Sequence, residues 1–358
     1  MRAAWANIHL DALAHNLAVL KQHAGGARIL AILKANAYGH GLARIASELH
    51  GVDAIGVARL NEALALRNAG IVKPIVLLEG FFSADELPIF AASGLQPVIH
   101  SQYQLAQLEQ AQGLAQPLRV WLKVDTGMHR LGVAPDQAVA CYRRLQACAN
   151  VQGEPILMSH FASADAPDAA QNNNQNRVLA DIQRQLAAPV SFSNSAALLA
   201  KVAQHDDWFR PGLALYGVSP FAQHTGADYN LRAVMSLQAS VISVRDVAAG
   251  EGVGYGAAWQ TERDTKVGII AIGYGDGYPR LAPAGTPVWI NGRCYPLKGR
   301  VSMDMLSVDL GVDSQVQVGD TAQLWGEHLA VELIAEKVGT IAYELLCNVA
   351  HRVALEYN

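Results

Sequence analysis

Residues 29–41, ILAILKANAYGHG, begin as a buried strand and then break that pattern. The opening residues are apolar and rich in leucine and isoleucine, which favours a strand covered on both faces. Lys34 interrupts the apolar run, which we interpret as a strand over 29–37, and Tyr38 and Gly-His-Gly follow it. An ammonium group among apolar side chains is costly unless it is used. The stretch therefore predicts a strand of an α/β fold that presents a functional lysine.

Seven further apolar runs follow, most of them trailed by a segment of helical periodicity. They are AIGVA (54–58), PIVLLEG (74–80), LQPVIHS (95–101), RVWLKVDTG (119–127), PILMSHFA (155–162), PVSFSNSA (189–196) and WFRPGLALYG (208–217). Eight strand–helix alternations in about 220 residues match the size of a (β/α)8 TIM-type barrel. A doubly wound open sheet gives a similar alternation, but the count of eight favours a closed barrel.

The pattern changes after residue 228. LRAVMSLQASVISVRDVAAG (231–250) predicts one long strand of period two, and short strands with frequent turn signals follow. This is typical of an antiparallel β domain. We therefore expect a barrel domain over 1–228 and a mainly antiparallel C-terminal β domain over 229–358. The first few residues, which predict a strand before an amphipathic helix, are candidates to pair with the β domain.

Composition narrows the class of protein. The 358 residues are 51% hydrophobic and 16% charged, with a formal net charge of -4, which does not suggest a nucleic-acid groove or a polybasic membrane patch. The four cysteines form no CxxC pair and the histidines show no ligand spacing, so we expect neither a disulfide framework nor a metal site. Polar residues interrupt the N-terminal apolar stretch, so we expect a strand and an amphipathic helix there rather than a signal peptide. A cytoplasmic protein is expected.

In a barrel, the working residues gather at the C-terminal ends of the strands. Predicted strands 2 to 4 contribute little there, whereas the other strand ends are rich in polar residues. These are Lys34, Asn36 and Tyr38; Lys123, Asp125 and Arg130; Ser159 and His160; Asn194 and Ser195; and Arg210 and Gly212. The concentration of polar residues at five strand ends predicts an active site.

Two of these strand ends suggest a phosphate site. Asn194 or Ser195 can cap a helix, and Gly212 allows a close backbone approach to a ligand. A lysine in a desolvated pocket can form a Schiff base, and the phosphorylated aldehyde cofactor is pyridoxal phosphate. An ordinary helix cap and a lysine that snorkels to solvent remain the alternatives. The glycine-rich segments 252–259 and 273–280 lack the Rossmann spacing, and we interpret them as turns that each present a tyrosine.

A series of motifs resembles the alanine racemase family over essentially the whole chain. In order they are AILKANAYGHG, KVDTGMHRLG, SHFASAD, SNSAA, RPGLALYG, VGYGAAW, GYGDGYPR, GRVSMDM and TIAYEL. The LLEGFF and MHR segments most resemble the catabolic bacterial branch. The resemblance implies a pyridoxal 5'-phosphate (PLP) barrel enzyme of fold type III, acting as a homodimer whose active sites are shared between subunits.

The resemblance also implies catalytic roles for four residues. Lys34 matches the lysine that binds the cofactor aldehyde, and Arg210 matches the arginine that faces the pyridine nitrogen. Tyr255 matches a second base that reaches the cofactor of the other subunit, and His160 links that tyrosine to Arg210. A single base would have to move from one face of the substrate Cα to the other, whereas two bases on opposite faces need not move. Lys34 is thus implied to handle the proton of D-alanine and Tyr255 that of L-alanine.

The remaining implied roles concern binding. The cofactor phosphate contacts are Tyr38, Ser195, Gly212 and Tyr343, with Asn194 beside them; the substrate-carboxylate contacts are Arg130 and Met303; and the substrate channel comprises Tyr274, Asp165, Arg280, Arg300 and Ile341. Lys123 matches a lysine that is carbamylated in some members and would orient Arg130. Ser302 stands where some members carry cysteine, which leaves the mechanism unchanged.

The implied function is interconversion of L- and D-alanine, which supplies D-alanine for peptidoglycan or feeds D-alanine catabolism. A related barrel decarboxylase of basic amino acids would place an acidic residue at the pyridine nitrogen, so Arg210 argues against it. A PLP carrier protein on the same barrel would lack the β domain. A broad-specificity or serine racemase of the same fold remains the main alternative, although Tyr274 and Tyr343 would favour a small substrate if they close over its side chain.

Overall fold

The computed structural model describes residues 2–358. Strand β1 (Ala4–Ile8) and helix α1 (Leu10–Ala24) open the chain. Gly25 ends α1 in the left-handed conformation, as expected of a glycine at a helix C-terminus. Residues of one face of α1, including Leu13, Leu17 and Leu20, are buried, so the helix packs on the barrel through that face.

Eight parallel strands then form the predicted barrel, which is confirmed. They are β2 (Arg28–Ile32), β3 (Ala54–Val57), β4 (Ile75–Leu77), β5 (Leu95–Ile99), β6 (Trp121–Lys123), β7 (Ile156–Met158), β8 (Val190–Ser191) and β9 (Trp208–Phe209). Neighbouring strands pair in sequence from β2 to β8, and β9 pairs with β2. A parallel bridge between Asn194 and Arg210 joins β8 to β9 just beyond their ends. The barrel therefore closes at the site predicted to bind phosphate.

Helices surround the barrel. After the short turn α2 (Lys34–Tyr38), they are α3 (Leu42–Glu48), α4 (Leu60–Asn68), α5 (Leu87–Ser93), α6 (Gln102–Gln110), α7 (Pro135–Ala147), α8 (Ala170–Gln183) and α9 (Ser195–Ala200). No α-helix follows β9 directly, where a 3-10 turn over Leu213–Tyr216 stands instead. Helix α1 packs against that turn and against α9 and α3, so it occupies the eighth helical position of the ring.

The C-terminal part is a mainly antiparallel sheet, as predicted. Its elements are β10 (Met235–Val247), β11 (Gly252–Val253), β12 (Trp259–Gln260), β13 (Thr265–Ile270), β14 (Pro287–Ile290), β15 (Arg293–Lys298), β16 (Leu306–Asp309), β17 (Thr321–Trp325), α10 (Val331–Val338), α11 (Ala342–Cys347) and β18 (Ala354–Tyr357). The long strand β10 pairs with both β17 and β13, which curls the sheet into a ring. Strand β1 joins this sheet between β10 and β18, so the chain's start and end meet there.

The hydrogen-bonded strands of the barrel are shorter than the apolar runs of the sequence. The run over 29–37 was expected to be one strand, but β2 ends at Ile32 and Lys34 lies in α2 beyond it. A run of apolar residues predicts that a segment is buried. It does not show where the strand ends if a buried turn follows directly. Most of the polar residues of the strand ends consequently lie beyond the last strand residue, in turns, loops or the start of a helix, whereas Lys123 is the last residue of β6. Within residues 2–358, no helix combines the length and apolar character needed to cross a bilayer.

Candidate active site

A cavity of about 390 Å³ opens at the C-terminal ends of the barrel strands. It brings together ten of the residues singled out in the sequence: Lys34, Tyr38, Lys123, Arg130, His160, Asn194, Ser195, Arg210, Gly212 and Tyr343. Tyr343 comes from α11 of the C-terminal domain, and the other nine come from the barrel. A larger cavity of about 670 Å³ lies between α1 and α10, but none of the predicted site residues lines it. The cavity at the mouth of the barrel is therefore the candidate active site.

The turn that carries Lys34 has an uncommon backbone. Ala35, Asn36, Ala37 and Tyr38 all have φ between 52° and 55°, the left-handed region that L-residues avoid. Each such residue costs on the order of 1 kcal/mol, so the surroundings must hold the turn in place. Backbone strain of this kind is typical of functional sites, and here it follows the predicted cofactor lysine directly.

Two side chains from outside the turn hold it. The Glu62 carboxylate on α4 accepts the Ala35 N–H at 2.7 Å, and it also accepts the N–H groups of Ala58 and Arg59. His40 Nδ1 lies 3.0 Å from the Ala37 carbonyl and 2.8 Å from the Tyr38 carbonyl, and burial lowers the pKa of His40 to about 4. The imidazole is therefore neutral and donates from Nδ1. Sequence reasoning missed Glu62, which lies 28 residues beyond Lys34.

The ends of β8 and β9 form a polar cradle. Asn194 caps α9 by accepting the Ala197 N–H at 3.0 Å, which leaves Ser195 at the first helical position. The Ser195 Oγ accepts the N–H of Gly212 at 2.9 Å and of Ala214 at 3.3 Å. A Cβ on Gly212 would lie 2.5 Å from the Tyr38 hydroxyl, so only glycine fits between these groups. Hydroxyl and N–H groups thus converge where a phosphate was predicted.

Arg210 is held at the bottom of the cavity. It is only 4% exposed, and its Nη2 donates to the carbonyls of Ser159 at 2.7 Å and Phe192 at 3.0 Å. Its Nη1 donates to the Ser191 hydroxyl at 2.7 Å. Nη2 also lies 3.1 Å from His160 Nδ1, and because arginine can only donate, that nitrogen accepts. Burial and the nearby cations lower the pKa of His160, so the pair consists of a cationic arginine and a neutral histidine.

Positive charge dominates the cavity. Burial lowers the pKa of Lys34 and lowers that of Lys123 to about 8, with nearby arginines adding to both effects. Lys34 lies just beyond the end of β2 and faces the open cavity at the mouth of the barrel. The lowered pKa of Lys34 increases the fraction of neutral amine, the form that reacts with an aldehyde.

Glu79 is the acidic residue that lines the cavity, and the sequence reading missed it. It follows β4, one of the strands judged to contribute little, and Arg59 pairs with it at 2.5 Å. Its position within the run 74–80, directly after Leu78, is the signal that could have identified it. A single carboxylate against two lysines and two arginines leaves the cavity suited to an anionic ligand.

The loop that brings Arg130 to the cavity is ordered by Asp125. One oxygen of its carboxylate accepts the N–H groups of Gly127, Met128 and His129 at 2.9 to 3.0 Å. These hydrogen bonds lower the pKa of Asp125 against the opposing effect of burial, so it stays ionised. The loop then returns to pair Val133 with Lys123 through the backbone, which sets Arg130 above the strand end.

Three predicted residues of the C-terminal domain do not line the cavity. Tyr255 lies at the tip of the β11–β12 hairpin and is 72% exposed, while Tyr274 and Met303 are 40% and 53% exposed. The backbone N–H of Tyr274 donates to the Ser302 carbonyl, so Tyr274 and Met303 lie close together on one surface. Among the predicted channel residues, Asp165, Arg280, Arg300 and Ile341 are likewise exposed and outside the cavity lining. One chain alone does not assemble the predicted site.

The fold and the cavity together define a class of enzyme. A closed barrel presents a lysine of lowered pKa, an arginine fixed at the bottom, and a cradle of hydroxyl and N–H groups at the last two strand ends. This arrangement is that of a barrel enzyme built to hold an anionic ligand and to carry out amine chemistry.

Comparison with known proteins then identifies the family. Residues 8–220 match the alanine racemase N-terminal domain and residues 234–357 match the alanine racemase C-terminal domain. The alanine racemase of Aeromonas hydrophila subsp. hydrophila is 52% identical over 357 residues, covering 100% of both chains. The chain belongs to the alanine racemase family, a family of isomerases.

Solved structures agree with this assignment. The biosynthetic alanine racemase of Pseudomonas aeruginosa superposes with a TM-score of 0.95 at 44% identity, covering 100% of both chains. The alanine racemase of Bartonella henselae, described with covalently bound pyridoxal phosphate, superposes with a TM-score of 0.89 at 31% identity, also covering 100% of both chains. The likeness therefore extends over the barrel and the β domain alike.

Proposed function

We propose that the chain interconverts L- and D-alanine with PLP bound at the barrel mouth. The observation that carries this proposal is the meeting of Lys34, Arg210 and the Ser195–Gly212 cradle in one cavity. The cavity fits the cofactor because the Ser195 hydroxyl, whose oxygen already accepts two N–H groups, and the Tyr38 hydroxyl beside Gly212 can donate to a phosphate, and Lys34 supplies an amine of lowered pKa for an aldehyde. When bound, PLP supplies an electron sink that makes the amino-acid Cα–H acidic.

Lys34 and Tyr255 would handle the Cα proton on opposite faces. Lys34 Nζ takes up and returns the proton on the face used by D-alanine, and Tyr255 of the partner subunit serves the face used by L-alanine. The exposure of Tyr255 at a hairpin tip supports a role toward another chain. His160 joins Arg210 to that tyrosine in the proposal. We therefore propose a homodimer whose two sites each contain both chains.

The other cavity residues would bind and orient. Tyr38, Asn194, Ser195, Gly212 and Tyr343 surround the proposed phosphate position, and Arg130 and Met303 hold the substrate carboxylate. Arg210 donates toward the ring nitrogen and, as an arginine, keeps its own proton. An arginine in this position would not protonate the ring nitrogen, which would restrain side reactions such as transamination.

The chain would divide its work between two domains. A barrel over 1–228 would bind the cofactor, and a β domain over 229–358 would supply Tyr255 and, with Tyr274, the outer part of the substrate channel. The product would serve peptidoglycan synthesis or D-alanine catabolism. The assignment of this chain to the catabolic branch stays a prediction. The Pseudomonas aeruginosa relative, by contrast, is described as a biosynthetic alanine racemase.

A direct assay tests the proposal. The purified chain supplied with PLP is expected to convert L-alanine to D-alanine and back. Its kcat/KM for alanine is expected to exceed that for serine by about ten- to a hundredfold, because a small pocket rejects an added hydroxyl only to that extent. Chiral chromatography of both substrates measures this. Absence of exchange would refute racemisation, and equal rates on serine would favour the broad-specificity alternative.

Lys123 is expected to take up carbon dioxide as a carbamate. Since its pKa is lowered to about 8, about half of the side chain is the neutral, reactive amine at pH 8, against roughly one in three hundred for an ordinary lysine. Carbon-13 NMR with labelled bicarbonate should show a carbamate signal that grows from pH 6.5 to pH 8.5 and is absent in Lys123→Ala. An identical signal in that variant would assign the carbamate elsewhere.

A further inference from the structure

Asp206 is a buried carboxylate at the closing seam of the barrel, outside the cavity. It is 9% exposed and lies four residues before Arg210. One of its oxygens accepts the Phe192 N–H at 2.5 Å, and the other accepts the Ser193 N–H at 3.1 Å and the Ser193 hydroxyl at 2.6 Å. The acid is therefore fixed to the chain that leaves β8.

Arg210 contacts the same peptide from the opposite side. Its Nη2 donates to the Phe192 carbonyl at 3.0 Å, and that carbonyl belongs to the peptide group whose N–H is that of Ser193. The peptide thus accepts from the guanidinium at one end and donates to the Asp206 carboxylate at the other. One amide group stands between a buried cation and a buried anion, and each hydrogen bond polarises the other.

Both charges are costly to bury. Burial lowers the pKa of Arg210 to about 10 and raises that of Asp206 to about 6, and each charge opposes the effect of burial on the other. A buried ion pair often stabilises a fold less than apolar residues would, so stability alone does not account for it. On the cavity side, Arg210 contacts the neutral His160 and shares the cavity lining with the cations Lys123, Arg130 and Lys34. Asp206 is the compensating charge behind it.

We propose that Asp206 is a positioning residue that acts on the cofactor through Arg210, by holding the Phe192–Ser193 peptide and by balancing the guanidinium charge that faces the ring nitrogen. This inference rests on the proposed function, because Arg210 is assigned to the ring nitrogen there. Charge near the ring nitrogen tunes the electronic state of the cofactor. Removal of the Asp206 charge leaves the guanidinium uncompensated, which favours electron density at the ring nitrogen.

The test measures the visible absorbance band of the cofactor on the reconstituted full-length protein. In Asp206→Asn, which keeps an acceptor oxygen, we expect the band to move to longer wavelength by several nanometres and the cofactor dissociation constant to rise about threefold or more, as expected for one weakened hydrogen bond. Asp206→Glu restores the charge and is expected to restore the wild-type band. Asp207→Asn is the matched control, since Asp207 accepts the Val190 N–H on the same seam.

The wild-type protein provides a second measurement that requires no variant. Lowering the pH from about 7 to about 5 protonates Asp206 near its pKa of about 6, so the same shift should appear with a midpoint near that value. Lys123→Ala is the control for the titration of that lysine near pH 8. His205 lies 3.4 Å from Asp207 on the same seam, so His205→Gln is the control for the pH experiment.

The outcomes separate the two proposals. A wild-type protein that binds no cofactor refutes the proposed function. A cofactor band that stays in place in Asp206→Asn and in wild type at low pH overturns the role of Asp206 while leaving that function intact. An equal shift in Asp207→Asn also overturns it, because any acid on the seam would then suffice. A higher dissociation constant without a band shift assigns Asp206 a purely structural role.

Discussion

Replacing Lys34 with alanine is expected to lower the rate of alanine racemisation by about 10⁴-fold or more, because the variant loses both the amine that holds the cofactor and one of the two proposed bases. No other lysine can take its place: Lys123 lines the same cavity but is only 9% exposed and lies at the end of β6. Chiral chromatography of a long incubation sets the lower limit of the residual rate.

Lys123→Ala separates covalent attachment from a general loss of positive charge. Borohydride treatment followed by peptide mass spectrometry should find the reduced cofactor on Lys34 in wild type and in Lys123→Ala, and on no lysine in Lys34→Ala. Lys123→Ala is expected to keep the attachment and to lose part of the activity through Arg130. A modified Lys123 in the wild-type protein would contradict the assignment of Lys34.

The count of strands and the cavity residues on their ends were predictable from sequence because both depend on order along the chain. Apolar runs separated by helical segments count strands directly, and parallel strands bring their C-terminal ends to one rim. The residues at those ends, such as Lys34, His160 and Arg210, had to meet once the barrel closed. Residues that are far apart in the sequence but lie at successive strand ends therefore line one cavity.

The supporting contacts were not predictable in the same way. The left-handed turn after Lys34 looks like an apolar continuation of the strand, because hydrophobicity carries no information on the sign of φ. Glu62 reaches that turn only because α4 follows the neighbouring strand, and Asp206 reaches Ser193 only because β8 and β9 meet at the seam. Such contacts follow from three-dimensional adjacency, so local pattern cannot reveal them.

Tyr255 poses a different problem, because its proposed site is not formed by one chain. Gly254 and Gly256 flank it with positive φ, which places the tyrosine at a sharp tip that projects from the β domain. A large aromatic side chain that is 72% exposed on such a tip is well placed to enter a second molecule. Tyr255→Phe keeps the ring and removes the hydroxyl, and it is expected to reduce racemisation by about 10²- to 10⁴-fold while cofactor absorbance is retained.

Mixing variants then tests whether the tyrosine acts on the partner. Lys34→Ala and Tyr255→Phe subunits are each expected to be nearly inactive alone. In a random mixture about half of the dimers contain one of each, and each such dimer has one of its two sites built from unaltered groups, so about a quarter of wild-type activity should return. A matched control mixes Lys34→Ala with Arg210→Ala. Both residues belong to the barrel of one chain, so neither site is then intact and no activity should return. Recovery only with Tyr255→Phe supports a site shared between chains, whereas no recovery after verified subunit exchange would place Tyr255 on the cavity of its own chain.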